Sequence, residues 1–193
     1  GSVTLIKTVT TAWGICAPAV GSMVLTLDPI PVFTGTPYSK TICSGTALGF
    51  TPTSDVPGST FSWTSSISGN ITGNTASGNG TITDVLVNTG DAVETVTYTI
   101  TVTGPGPNNC VNPATENYVV TVNPTPVQTI TNNDAVVCEG VGVDIDYTTP
   151  TAGATMTVQA IYPGSVTGGS YAAVTGLSPV TGTITEALGN TSS

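Results

Sequence analysis

Any chemistry in this 193-residue chain would have to come from four cysteines, eleven carboxylates and a few aromatics, because histidine and arginine are absent. Without histidine there is no Ser-His-Asp triad, no imidazole base and no His-metal site. Without arginine there is no bidentate phosphate clamp and no guanine reader. Two lysines against eleven acids leave a net charge of −9. Such a surface repels a phosphate backbone, so no nucleic-acid partner is expected.

Among the carboxylates, Asp144 and Asp146 stand two residues apart on one face of an expected strand. They are the candidate oxygen ligands for Ca²⁺. No Asx-rich loop accompanies them, so a wet strand face is the expectation and no cofactor is assigned. Asp84 and Glu186 share strand parity with Ile82 and Leu86, and with Ile184 and Leu188. A bulge is expected to turn them outward; the alternative is that they face inward to meet hydroxyls or a cation. Trp63 lies in an alternating run and reads as core. Trp13, Tyr162 and Tyr171 are the candidate ligand-binding aromatics, able to stack on a sugar from loops; packing over one end of the fold is the competing account. Lys7 or Lys40 with an Asn and an acid would suit an isopeptide bond, but no spacing supports one. No acid pair sits in a pocket-forming context, so no enzyme is expected.

The elements that must position these residues are strands. Thr and Val suit strands, Gly, Asn and Pro suit turns, and helix formers are scarce. No run of about 18 apolar residues exists to span a bilayer, and no signal peptide is visible. Leu48 and Phe50, Phe61 and Trp63, Val96 to Val102, and Tyr118 to Val122 all alternate with small or polar residues. Period-two alternation means one buried and one wet face, as in a two-sheet sandwich of about seven strands.

The chain also repeats itself. Met23-Val-Leu-Thr-Leu-Asp-Pro-Ile-Pro-Val32 matches Tyr118-Val-Val-Thr-Val-Asn-Pro-Thr-Pro-Val127 at an offset of 95 (118 − 23). Cys43-Ser-Gly45 matches Cys138-Glu-Gly140 at the same offset (138 − 43). Gly80-Thr-Ile-Thr-Asp84 matches Gly182-Thr-Ile-Thr-Glu186 at 102 (182 − 80), so the later copy has seven extra residues (102 − 95) within 169–181. Val3 to Cys16 resembles Val96 to Cys110 with one deletion. Residues 1–28 therefore read as the last two strands of a preceding repeat, 29–123 as a complete repeat, and 124–193 as the opening of a following one. This arrangement suits a piece of a tandem array; a fibre whose chains complete one another head to tail is the alternative. Pro29-Ile-Pro31 and Pro124-Thr-Pro126 make stiff linkers and favour a rod.

Four cysteines allow three complete pairings. With Cys43 where the first strand starts and Cys110 in the last turn, an odd-stranded sandwich brings these two to the same end. A Cys43–Cys110 disulfide is expected, worth about 4 kcal/mol in the chain-entropy model. Cys16 and Cys138 hold the same two positions in the incomplete copies, so their partners lie outside this chain or in a neighbouring one. Paired cysteines place the protein in an oxidising, extracytoplasmic compartment.

Thr41-Ile-Cys43-Ser-Gly45, Phe61-Ser-Trp63, Val96-Thr-Tyr98-Thr-Ile100-Thr-Val102, Cys110 and Tyr118-Val-Val-Thr-Val-Asn-Pro124 together resemble the PKD-like repeats of giant Bacteroidota surface proteins, such as the mobile adhesins of gliding flavobacteria exported by type IX secretion. The second copy departs from this pattern, with Val158 in place of Trp63. The resemblance implies an all-β, Ig-like sandwich in tandem, a cell-surface location and no catalytic residues. The expected role is a structural stalk presenting distant binding domains, with neighbouring repeats as partners. A module binding surface polysaccharide is the alternative.

Overall fold

A computed structural model describes residues 1–10, 14, 17–35, 38–157, 161–162, 164–168 and 180–191. Among them the chain forms β1 (Ser2–Val9), β2 (Ala19–Thr26), β3 (Ser39–Cys43), β4 (Thr46–Ala47), β5 (Thr60–Ile67), β6 (Ile71–Thr72), β7 (Ser77–Asn79), β8 (Val85–Asn88), β9 (Glu94–Thr103), β10 (Glu116–Asn123), β11 (Thr129–Asn132), β12 (Ile145–Thr149), β13 (Val166–Thr167), β14 (Val180–Ile184) and β15 (Gly189–Asn190). The described residues include no helix long and apolar enough to cross a membrane.

Strands β3 to β10 build a two-layer sandwich. One sheet has the order β3-β10-β9-β5-β7 and the other β4-β8-β6. The alternation in the sequence becomes its core: Val96, Tyr98, Ile100, Tyr118, Val120 and Val122 point inward from β9 and β10 and meet Leu48, Ile71, Ile82 and Leu86 from the opposite layer. Each fully buried Val, Leu or Ile contributes about 1.5–3 kcal/mol. The intervening threonines of β9 are half-buried on its other face. Eight strands appear where about seven were expected, because β4, β6 and β7 are only two or three residues long. The two outermost strands of the chain segment, β3 and β10, pair in parallel, with Ser39 beside Val119 and Cys43 beside Asn123.

β1 and β2 form a separate hairpin whose ladder repeats that of β9 and β10. Leu5 pairs with Met23 and Val3 with Leu25; Tyr98 pairs with Tyr118 and Val96 with Val120. The two ladders coincide at offsets of 93 (98 − 5) and 95 (118 − 23). Their surroundings differ. Val3, Leu5, Val9, Met23, Leu25 and Leu27 are exposed, whereas Val96, Tyr98, Val102, Tyr118, Val120 and Val122 are buried. The same alternation thus finds a core only where an opposite layer covers it.

The described residues of 124–191 reproduce pairings of the opposite layer of the sandwich. Val166 pairs with Asn190 as Ile71 pairs with Asn88, and Ile145 with Ile184 as Phe50 with Ile82. Gly140 N–H donates to Leu188 O as Gly45 N–H donates to Leu86 O. The offset passes from 95 (166 − 71) to 102 (184 − 82) between Thr167 and Ile184, in keeping with the expected insertion. No strand forms at 134–138, the counterpart of β3. β3 pairs only with β10, and the described residues of this copy include no counterpart of β10, so the segment has no ladder to join and Val136 is 92% exposed.

Candidate functional site

The acid at the centre of the sandwich faces inward. Asp84 lies between the fully buried Ile82 and Leu86 and is itself 9% exposed. Its Oδ2 accepts from Tyr98 O–H at 2.7 Å and from Thr75 N–H at 2.8 Å, while Oδ1 accepts from Thr75 Oγ1 at 2.7 Å. The outward bulge expected from the sequence is therefore corrected. A buried carboxylate is tolerated when charge-assisted hydrogen bonds replace its water, and Tyr98 reaches from β9 to supply one of three. The legible signal was Tyr98, the one polar-tipped residue among Val96, Ile100 and Val102 on that face of β9.

Burial, with the adjoining Asp84 carboxylate, raises the Tyr98 phenol far above its ordinary value; burial also raises that of Tyr118. The stability from a raised folded-state value is fully present below the unfolded value of about 10 and is lost as pH rises from there through the folded value. Above pH 10 the Tyr98 phenol should cost about 1.4 kcal/mol of stability per pH unit, and Tyr118 adds a loss of the same sign. Urea midpoints followed by circular dichroism between pH 8 and 11.5 check this; a flat profile would contradict it.

Glu186, the counterpart of Asp84, accepts from Tyr162 O–H at 2.7 Å. Tyr162 corresponds to Ile67 (162 − 95), not to Tyr98, so the donor comes from a different element. The hairpin counterpart of Tyr98 is Leu5, which has no hydroxyl. The Tyr162 ring lies over Gly168, where a Cβ would collide with it. Tyr162 is thus half-buried, with its hydroxyl turned toward an acid. Trp13 and Tyr171 lie outside the described residues. Trp63 is core as expected, edge-on to Tyr98 at 5.5 Å and packed over Gly78.

Asp146 uses its carboxylate within its own sheet. Oδ1 accepts from Thr183 Oγ1 at 2.6 Å and Oδ2 from Asn133 Nδ2 at 2.9 Å. These two bonds hold its carboxyl below the ordinary carboxylate range. Asp144 contributes its backbone carbonyl, which accepts from Asn133 N–H. Among the described residues no group of three or more Cys, Asp or Glu side chains converges to hold a metal.

The expected Cys43–Cys110 disulfide is also corrected: both thiols are free. Cys43 ends β3 instead of starting it, beside Asn123 at the far end of β10. Cys110 precedes Glu116, at the near end. The eight residues of β10 separate the two, about 25 Å at 3.3 Å per residue, whereas a disulfide needs Cα atoms within about 7 Å. Cys110 lies instead on the linker side, with Sγ 3.9 Å from Asp28 O. Asn108 Nδ2 donates to Asp28 Oδ2 and Asn112 Nδ2 to Pro31 O, both at 2.9 Å. The last turn of the sandwich therefore grips the linker that precedes it. Cys138 is exposed and free; Cys16 lies outside the described residues.

A comparison with known families bears on the central sandwich. Residues 40–126 match the PKD-like domain. The match runs from β3 through β10 into the following linker and supports a PKD-like repeat over the complete sandwich. No curated protein matches the chain. The PKD-like repeat has the Ig-like, all-β architecture, and its inward polar group, Asp84, serves packing between its two layers.

Proposed function

We propose that the chain is a tension-carrying stalk segment of a long exported surface protein, of the kind built by Bacteroidota adhesins, and that it catalyses no reaction. The observation that supports this reading is the parallel pairing of β3 with β10. The PKD-like repeat is entered through β3 and left through β10, at opposite ends of the ladder. Tension on the two chain ends drags these strands past one another along their length. Bonds in such a ladder share the load and yield together, whereas an antiparallel hairpin pulled at its open end unzips bond by bond. Ile42 and Val122 back the ladder from the core. The grip of Asn108 and Asn112 on residues 28–31 keeps the preceding linker from swinging freely. PKD-like domains as a class are structural or adhesive modules, and the acidic surface keeps neighbouring chains apart.

Stretching single molecules of the full chain by its termini tests this. The complete repeat should open in one event that lengthens the chain by about 300 Å, from 95 residues (29–123) at roughly 3.3–3.6 Å each less the folded span. Gradual lengthening without a discrete event would overturn the reading. Saturable binding on a glycan array would favour a polysaccharide-binding module instead.

A second reading, a fibre in which neighbouring chains complete one another, is favoured by the hairpin. β1 and β2 carry the ladder of β9 and β10 with its apolar face uncovered, and residues 124–191 form an open module lacking that hairpin.

A further inference from the structure

We propose that consecutive repeats are joined covalently, through a disulfide between the cysteine at the end of the first-strand segment of one repeat and the cysteine in the last turn of the next. In this chain the pair is Cys138 of one copy and Cys110 of the following copy. The inference rests on the reading that the β1–β2 hairpin of a second copy completes the open module at 124–191.

Two positions in the complete repeat define the geometry. First, Cys43 pairs with Asn123, and the next residue, Ser44, donates its N–H to Asn123 O at 2.9 Å. Second, Cys110 Sγ lies 3.9 Å from Asp28 O. Asp28 is the repeat counterpart of Asn123 (123 − 95). One carbonyl position thus serves both: it receives the residue after the first-strand cysteine of its own repeat, and the turn cysteine of the next repeat rests on it. When a second copy's hairpin fills the open module, Cys138 takes the place of Cys43 beside that copy's Asp28. Cys110 of the same copy already lies there.

The local frames agree. Gly140 is held to Leu188 O as Gly45 is held to Leu86 O, and both glycines have positive φ, 78° and 82°. Both first-strand cysteines are exposed and free, so each is accessible to a neighbour. The same arithmetic, from sequence alone, pairs Cys43 with Cys16 of the following copy.

The chemistry requires an oxidant. Two thiols release two protons and two electrons to a disulfide-bearing acceptor, which becomes a dithiol, and one S–S bond forms. A thiol–disulfide oxidoreductase would serve in an exported compartment, and oxidised glutathione serves in the tube.

The full chain is concentrated in reductant, its mass distribution is measured by ultracentrifugation, and it is then oxidised and mapped by non-reducing peptide analysis. The expected result is a reducible ladder of oligomers with Cys110–Cys138 and Cys16–Cys43 as the dominant linked peptides. Cys110→Ser should abolish the first link and leave the second. Oligomers that form in reductant but give free thiols or a Cys43–Cys110 peptide would overturn the cysteine pairing while leaving completion by a neighbour intact. Monomers in reductant that remain unlinked after oxidation would overturn both.

Discussion

Alanine in place of Trp63 is expected to lower the unfolding free energy of the complete repeat by about 3–5 kcal/mol. Trp63 is 6% exposed, touches Tyr98 edge-on and fills the space that Gly78 leaves on the neighbouring strand β7. Truncation removes the transfer energy of the indole and opens a cavity between β5 and the opposite layer that the surrounding sheet cannot close. The converse change acts on the same contact. Alanine at Gly78 puts a methyl group into the indole, and overpacking of this kind costs about 1–3 kcal/mol. Urea denaturation followed by far-ultraviolet circular dichroism measures both without depending on the tryptophan signal. A loss below 1 kcal/mol for Trp63→Ala would show that the indole does not support the core.

Tyr98→Phe should cost about 2 kcal/mol, since it removes one charge-assisted hydrogen bond from Asp84 and leaves the carboxylate buried. Asp84→Ala should cost at least as much, because the Tyr98 hydroxyl then loses its acceptor and a small cavity opens. The two losses should not add. Asp84 and Tyr98 are partners at 2.7 Å, so the double variant should be less damaged than the sum of the singles by an interaction energy of about 1–3 kcal/mol. Additive losses in a double-mutant cycle would mean that the bond contributes nothing. Tyr98→Phe should also remove part of the alkaline loss of stability, which separates the phenol's ionisation from general high-pH effects.

Much of the sandwich is legible in the residues. Val96, Tyr98, Ile100 and Val102 alternate with threonine, and the structure buries that series in the core. The offsets of 95 and 102 are legible too, because turn glycines and Pro-x-Pro linkers mark the same points in each copy. What escaped the sequence involves contacts between distant elements. Asp84 has the parity of a core residue and the chemistry of a surface one. Only its partners, Thr75 nine residues away and Tyr98 fourteen residues away, explain why it can face inward. The cysteine error has a similar origin. Placing Cys43 at the start of the first strand and Cys110 in the last turn suggests one shared end. The strand starts four residues earlier, at Ser39, and pairs in parallel with β10, so Cys43 finishes at the opposite end. Parallel pairing of the first and last strands carries no local signature. Tyr162 escaped for another reason: a tyrosine beside an insertion reads as a loop aromatic, and its hydroxyl's route to Glu186 depends on how β13 and β15 close.

Hydrogen exchange of the full chain, measured in reductant at concentrations that give monomers and again where chains associate, tests most directly whether hairpins with matching ladders owe their stability to the rest of the sandwich. In monomers, amides of β9 and β10 should be strongly protected while those of β1 and β2 exchange orders of magnitude faster, despite the shared ladder. On association, protection should rise in 2–9, 19–26 and 134–138 together, with β9 and β10 unchanged. Equal protection of the two hairpins in monomers, or association that leaves 134–138 unprotected, would contradict the account.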